Sequence, residues 1–191
     1  MTGSWVNRAI IVFLIFMTVL TSGYRKPHKY IIQAEKDAYY HNNVGLNYLK
    51  DRIYHAAIQE FKIAISLSPS TQASAIFYNN LGETYNFIGY PDMAKDCFED
   101  AIRLYGLNLK YYMNLVQTYK ASGTAEAKIK EYQNSKDIYE RIKLGILLIE
   151  TGQTRRGVNT LDEICNEEPD LIITSALRQY ISNVIKGMQK N

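Results

Sequence analysis

The sequence predicts an all-α fold in which antiparallel helix pairs stack in a row, and three observations predict it. First, Ala75 to Leu107 reads as two amphipathic helices joined by a Gly-Tyr-Pro-Asp turn. Second, Gly82 in that stretch is followed at steps of 3, 12, 16 and 19 residues by Tyr85, Ala94, Phe98 and Ala101, and the same steps recur from two other glycines. From Gly45 they reach Tyr48, Ala57, Phe61 and Ala64, with Pro69 at step 24; from Gly145 they reach Leu148, Gly157, Leu161 and Ile164, with Pro169 at step 24. Third, the residue types have a steric logic. Two helices approach closely only where a small residue faces a bulky one, and a proline after the second helix stops it.

Taken in order, the chain is expected to begin with a targeting signal. Residues 9–20, AIIVFLIFMTVL, form an unbroken apolar run preceded by Arg8. That length suits a signal-peptide core of about 7 to 15 residues and is short of the roughly 20 needed to span a bilayer. Cleavage after Gly23 places Thr21 and Gly23 at the two small-residue positions; uncleaved, the uncharged window 9–24 with its basic flanks serves as an anchor. We therefore read 1–23 as a signal peptide or membrane anchor, 24–37 as a polar linker, 38–170 as the repeat array and 171–191 as a capping helix. On this reading the array lies outside the cytoplasmic membrane, either secreted or periplasmic, or tethered at its outer face through 9–24.

Asp37 is expected to cap the first helix, which carries Tyr40, Val44, Tyr48 and Leu49 at helical spacing. Its partner runs from about Tyr54 to Leu67, and Thr71 opens the second unit. After that unit Gly106 replaces the proline as a glycine stop. In the third unit Val116, Tyr119, Gly123 and Tyr132 fit the steps, but Lys128 stands where a small residue belongs, so the second helix, about 125–134, is expected to be truncated or tilted. Ser135 is expected to cap the first helix of unit four, which ends near Glu150. From Leu171 on, Ile172, Ala176, Leu177, Tyr180, Ile181, Val184, Ile185 and Met188 share one helical face, as a helix covering the end of the stack requires.

The pattern resembles the tetratricopeptide repeat, a helix-turn-helix unit of about 34 residues. The resemblance implies a right-handed α-solenoid of about four units, whose first helices line a concave groove and whose second helices form the outer wall. It further implies a non-catalytic protein–protein interaction module that holds an extended peptide or helix of a partner protein. The alternative is a structural or oligomerising subunit of an envelope complex that uses its outer wall and ends. Mapped on this chain, the groove presents Asn42, Asn43 and Leu46, then Asn79, Asn80, Glu83 and Asn86, then Lys110, Met113, Asn114 and Gln117, and finally Ile142, Lys143 and Ile146. Asn43, Asn80 and Asn114 stand two residues before the reference position in three successive units. An amide both donates and accepts, so such a ladder matches the backbone of an extended peptide. The alternative is that asparagine is simply common at that place of the repeat.

Composition excludes other classes. A formal charge of +3 with Lys and Arg scattered among Asp and Glu gives no basic run for nucleic acid. The two cysteines, Cys97 and Cys165, fall on second helices and read as small buried thiols, and the histidines His28, His41 and His55 lack metal-ligand spacing. No phosphate loop, nucleophile elbow or Cys-His pairing is present, so no enzyme activity, cofactor or metal is expected. Of the 16 tyrosines, those at core spacings are expected to fill the space between helices with their hydroxyls reaching the surface, while Tyr39, Tyr90, Tyr105 and Tyr111 are expected to be exposed.

Overall fold

The computed structural model describes residues 34–189, with side chains from Asp37 onward. Nine helices and no strand occur among these residues: α1 Ala34–Lys50, α2 Tyr54–Leu67, α3 Gln72–Phe87, α4 Pro91–Leu104, α5 Leu109–Ala121, α6 Ala125–Tyr132, α7 Ile138–Glu150, α8 Thr154–Glu167 and α9 Ile172–Met188. Each even-numbered helix folds back on its predecessor and packs on its successor, so α1/α2, α3/α4, α5/α6 and α7/α8 are the four units of an α-solenoid and α9 follows them. The apolar run 9–20 lies outside the described residues, and no described helix is long and apolar enough to cross a membrane.

The glycine spacing becomes contact in the hairpins. A Cβ added to Gly45 would stand 2.7 Å from the Phe61 ring, one on Gly82 2.7 Å from the Phe98 ring, and one on Gly145 2.5 Å from Leu161 Cδ2. Phe61, Phe98 and Leu161 are fully buried, so each bulky side chain fills the space left by the glycine opposite. Seven residues after the reference position the chain turns through the left-handed region in every unit: Gly89, Gly123 and Gly152 have φ of 81°, 69° and 89°, and Arg52 takes the same turn at 60°.

Helix ends depart from expectation in three places. Helix α1 starts at Ala34, inside the expected linker, so Asp37 lies within the helix rather than at its cap. Asp137, not Ser135, caps α7: its carboxylate accepts from the Glu140 N–H at 2.9 Å, while Ser135 Oγ accepts from the Asp137 N–H at 3.1 Å. Gly106 is not a left-handed stop. It is buried where a Cβ would meet Tyr139 Cε1 at 2.6 Å, so it is small to admit the start of α7. Thr71 does open unit two, in a reciprocal box with Ser74.

Unit three is built differently. Val116 replaces the glycine and Lys128 replaces the alanine, and α6, with eight residues, packs more on α7 than on α5. A polar network spans the gap. Tyr119 Oη donates to Glu99 at 2.8 Å and lies 3.2 Å from Tyr132 Oη, and Lys143 Nζ reaches Glu99 at 3.1 Å. These hydroxyls are internal, contrary to the expectation that they reach the surface; Tyr111 is likewise buried, whereas Tyr39 and Tyr90 are exposed. Cys97 and Cys165 are free and buried, and burial, with Asp100 and Asp96 nearby, pushes the Cys97 thiol up to about 12. Helix α9 buries Ile173, Leu177 and Ile181 but leaves Ile172, Ile185 and Met188 exposed, so its apolar face is only partly covered.

Candidate functional site: a cleft between the first helices of units two and three

The first helices α1, α3, α5 and α7 carry the residues expected in the groove, and the structure divides them into two sets. Asn42, Asn79 and Asn80 are buried in the seams between adjacent first helices. Asn80 Nδ2 donates to Asn42 Oδ1 at 2.8 Å, and one unit later Asn114 Nδ2 donates to Asn79 Oδ1 at 2.8 Å. The residue three before the reference position in one unit therefore accepts from the residue two before it in the next. These amides hold neighbouring units together, and Asn42, Asn79 and Asn80 are not free to grip a peptide. In unit four Ile142, Lys143 and Ile146 are buried too, Lys143 only 7% exposed beside Glu99, so they line no groove.

The second set faces solvent. Asn43, Leu46, Asn86, Lys110, Met113 and Gln117 are exposed, and Glu83 and Asn114 are half-buried. Glu83, Asn86, Phe87, Asn114 and Gln117, over the buried Phe98, line an open cleft of about 450 Å³ between α3 and α5. Its one lining carboxylate, Glu83, and the neighbouring Glu150 are already engaged. Glu83 Oε1 accepts from Asn79 at 3.0 Å, Asn114 at 2.9 Å and Lys110 at 2.6 Å, while Glu150 Oε2 accepts from Gln117 at 2.9 Å and Lys120 at 2.8 Å. Asn86 Nδ2 donates to Thr118 Oγ1 at 2.7 Å. Asn86 and Gln117 thus each spend an amide N–H on a protein acceptor, while their carbonyl oxygens accept no side-chain hydrogen bond among the described residues and can accept from a ligand.

Phe87 is the residue the sequence reading missed. It is 65% exposed at the end of α3, stacked on Tyr54 with centroids 6.0 Å apart and planes at 17°. It lies four residues after Glu83, on the same helical face, and that step was the available signal. Lys120, Thr118 and Glu150 were missed as well, because their roles depend on pairing between units. Among the described residues no group of three or more His, Cys, Asp or Glu side chains is placed to hold a metal ion. His41 instead pairs with Glu60 at 2.6 Å.

Comparison with known proteins bears on the repeat. No curated protein matches the chain significantly. Among solved structures, MamA is similar at 19% identity over 73% of this chain and 83% of its own, with a TM-score of 0.47. YrrB, a TPR protein with an unusual peptide-binding site, is similar at 19% identity over 83% of this chain and 87% of its own, with a TM-score of 0.48. The Arabidopsis OM64 TPR domain is similar at 13% identity over 60% of this chain and 96% of its own, with a TM-score of 0.47. Residues 75–106, which form α3 and α4, match the sequence model of the tetratricopeptide repeat, and this match on the helix pair that sets the spacing for the array supports the tetratricopeptide repeat family for this chain.

Proposed function

We propose that this protein is a non-catalytic adaptor that holds an extended segment of a partner protein along the cleft between α3 and α5. The observation that carries the reading is the cleft itself: an exposed aromatic ring, Phe87, beside two amide carbonyls, Asn86 and Gln117, that have no protein donor among the described residues. An extended peptide presents N–H donors at a regular rise and side chains on alternate sides, so carbonyl acceptors beside an apolar shelf suit it. The engaged carboxylates Glu83 and Glu150 leave little uncompensated charge, which favours a neutral backbone over an acidic tail as the ligand.

The test is site-specific photo-crosslinking in living cells, with a photoreactive residue at Gln117 or, as the outer-wall control, at Ile63. The reading expects a discrete crosslinked product from position 117 that Phe87→Ala removes, and none from position 63. Products from position 63 alone would refute it. We further propose that the array works outside the cytoplasmic membrane, from the apolar run 9–20 behind Arg8. A reporter that is active only after export, fused after Asn191, is expected to be active, and inactivity would remove this part of the reading.

A further inference from the structure

We propose that the outer face of α9 is the vacant seat for an amphipathic α-helix of another protein, which would complete a fifth unit of the array in trans. The inference is independent of the concave cleft and rests on register. Asp162, Arg178, Ile181, Ser182, Ile185 and Lys186 line an open cleft of about 380 Å³ between α8 and α9. Moved back by one hundred residues, these positions are Lys62, Tyr78, Leu81, Gly82, Tyr85 and Asn86. Four of the latter, Tyr78, Leu81, Gly82 and Tyr85, belong to the α3 hairpin face, and Lys62 comes from the preceding second helix with its ammonium 6.0 Å over the Tyr85 ring.

In unit two that seat is filled. Helix α4 lays Ala94, Cys97, Phe98 and Ala101 against it, all buried, with Phe98 pressed on Gly82. Tyr85 is accordingly 5% exposed, whereas its counterpart Ile185 is 39% exposed, and Gly82 is buried where Ser182 is open. The small residue that permits close helix approach is kept at Ser182, beside a bulky apolar neighbour, in a helix that has no hairpin partner among the described residues. A stack of this kind grows by adding one helix to the exposed face of the last, so the seat is continuous with interfaces already formed in the array.

The chemistry of the occupant follows from the seat. Its centre needs a bulky side chain between small ones, as Phe98 stands between Ala94 and Ala101. Its rim carries Arg178 and Lys186, neither of which meets a carboxylate within ion-pair distance among the described residues, against the single acid Asp162. An amphipathic helix with acidic residues flanking a small–aromatic–small stripe is complementary to it, and α4 itself, with Asp96 and Asp100 beside the buried Cys97, has that character.

The probe is therefore a capped, fluorescently labelled peptide with the sequence of residues 90–104 carrying Cys97→Ala, titrated with the full chain and read by fluorescence anisotropy. Saturable binding is expected with a dissociation constant on the order of 10 to 100 μM. Ile185→Glu and Ser182→Trp in the full chain, and Phe98→Ala in the peptide, are each expected to weaken it tenfold or more. Both chain positions are exposed, so the thermal transition of each variant is expected to stay where it is. No saturation by about 1 mM overturns the proposal. So does unchanged affinity in both chain variants, which would mean the peptide displaces α4 from unit two. Loss of binding on Phe87→Ala alone would place the peptide in the concave cleft and also overturns it, as would a dimer of the free chain that Ile185→Glu dissociates, which would make the occupant a second copy.

Discussion

Replacing glycines by alanine one at a time should produce a graded series whose order follows from what each new Cβ meets. At Gly157, in the first turn of α8, it would meet the Gly145 carbonyl oxygen and stand 2.8 Å from the Ile149 backbone nitrogen, both on α7. Backbone cannot rotate aside, so the strain is relieved only if α7 and α8 separate. At Gly82 the obstacle is the Phe98 ring at 2.7 Å, a side chain, but one fully buried between Ala94 and Ala101. At Gly187, near the end of α9, nothing lies within 4 Å. Alanine gains about 1 kcal/mol of helix propensity over glycine at each site; overpacking a core costs about 1 to 3 kcal/mol where side chains can shift, and more, about 4 kcal/mol or above, where backbone must move. The net expectation is a loss of about 3 kcal/mol or more for Gly157→Ala, a loss of about 1 for Gly82→Ala, and a gain of up to about 1 for Gly187→Ala. At about 2 to 4 °C per kcal/mol for a chain of this size, the thermal midpoints should fall by roughly 10 °C, fall by roughly 3 °C, and rise slightly. Far-ultraviolet circular dichroism through heat and urea transitions reads all three. If Gly157→Ala were milder than Gly82→Ala, or Gly187→Ala the most damaging, close helix nesting would not be what holds the hairpins.

Arg52→Gly removes a left-handed conformation from a residue with a side chain, and after the entropy cost of glycine it should raise stability by about 0.5 to 1 kcal/mol; a lower urea midpoint would contradict this. Asn80→Ala should cost about 1 to 3 kcal/mol of stability because it strands the buried Asn42 carbonyl oxygen, and an unchanged midpoint would mean that the amide pair contributes nothing. Alkaline pH should destabilise the fold. Burial above all, with Glu99 nearby, holds the Tyr112, Tyr119 and Tyr132 hydroxyls protonated well above the usual tyrosine range. The unfolded chain gives up these protons near pH 10 while the folded chain keeps them, so the folded state binds more protons and stability falls as pH rises past that point, by about 1 kcal/mol per tyrosine at pH 11. Urea midpoints at about pH 8 and pH 11 that coincide would refute it.

What the sequence made legible was steric and local. Gly45 with Phe61, Gly82 with Phe98 and Gly145 with Leu161 are pairs sixteen residues apart within one hairpin, and nothing outside the hairpin decides whether they meet. The groove residues were read less well because their environment is set between units. Asn80 resembles Asn43 in register, yet Asn80 is buried on Asn42 and Asn43 is open to solvent, since α1 has no preceding first helix described beside it to bury its amide. Lys143 was read as a groove residue because it shares a helical position with those asparagines; the acid that draws it inward, Glu99, is 44 residues away and carries no local signal. At the start of α7, Ser135 and Asp137 are both good caps, and their spacing alone does not choose between them.

The third unit shows why one exception to the steric rule changes the chemistry of a whole region. Without a glycine at 116 and a small residue at 128, α5 and α6 do not nest as the other pairs do, and α6 leans on α7 instead. Tyr119 and Tyr132, at the same steps as the aromatic residues of the other units, fill the space between α5 and α6 with hydroxyls that must then be satisfied internally. Glu99 from α4 accepts from Tyr119, whose hydroxyl pairs with that of Tyr132, and Lys143 from α7 compensates Glu99; Lys128 sits 5.6 Å and 5.5 Å over the two rings, so the residue that breaks the small-residue rule is itself part of what replaces it. The network draws side chains from α4, α5, α6 and α7, which ties unit two directly to unit four across the short α6. A buried ammonium is tolerated only when paired, so Lys143 on α7 is held to Glu99 on α4. The position of α7, and with it of Glu150 at the rim of the concave cleft, therefore depends on the one unit that does not follow the repeat.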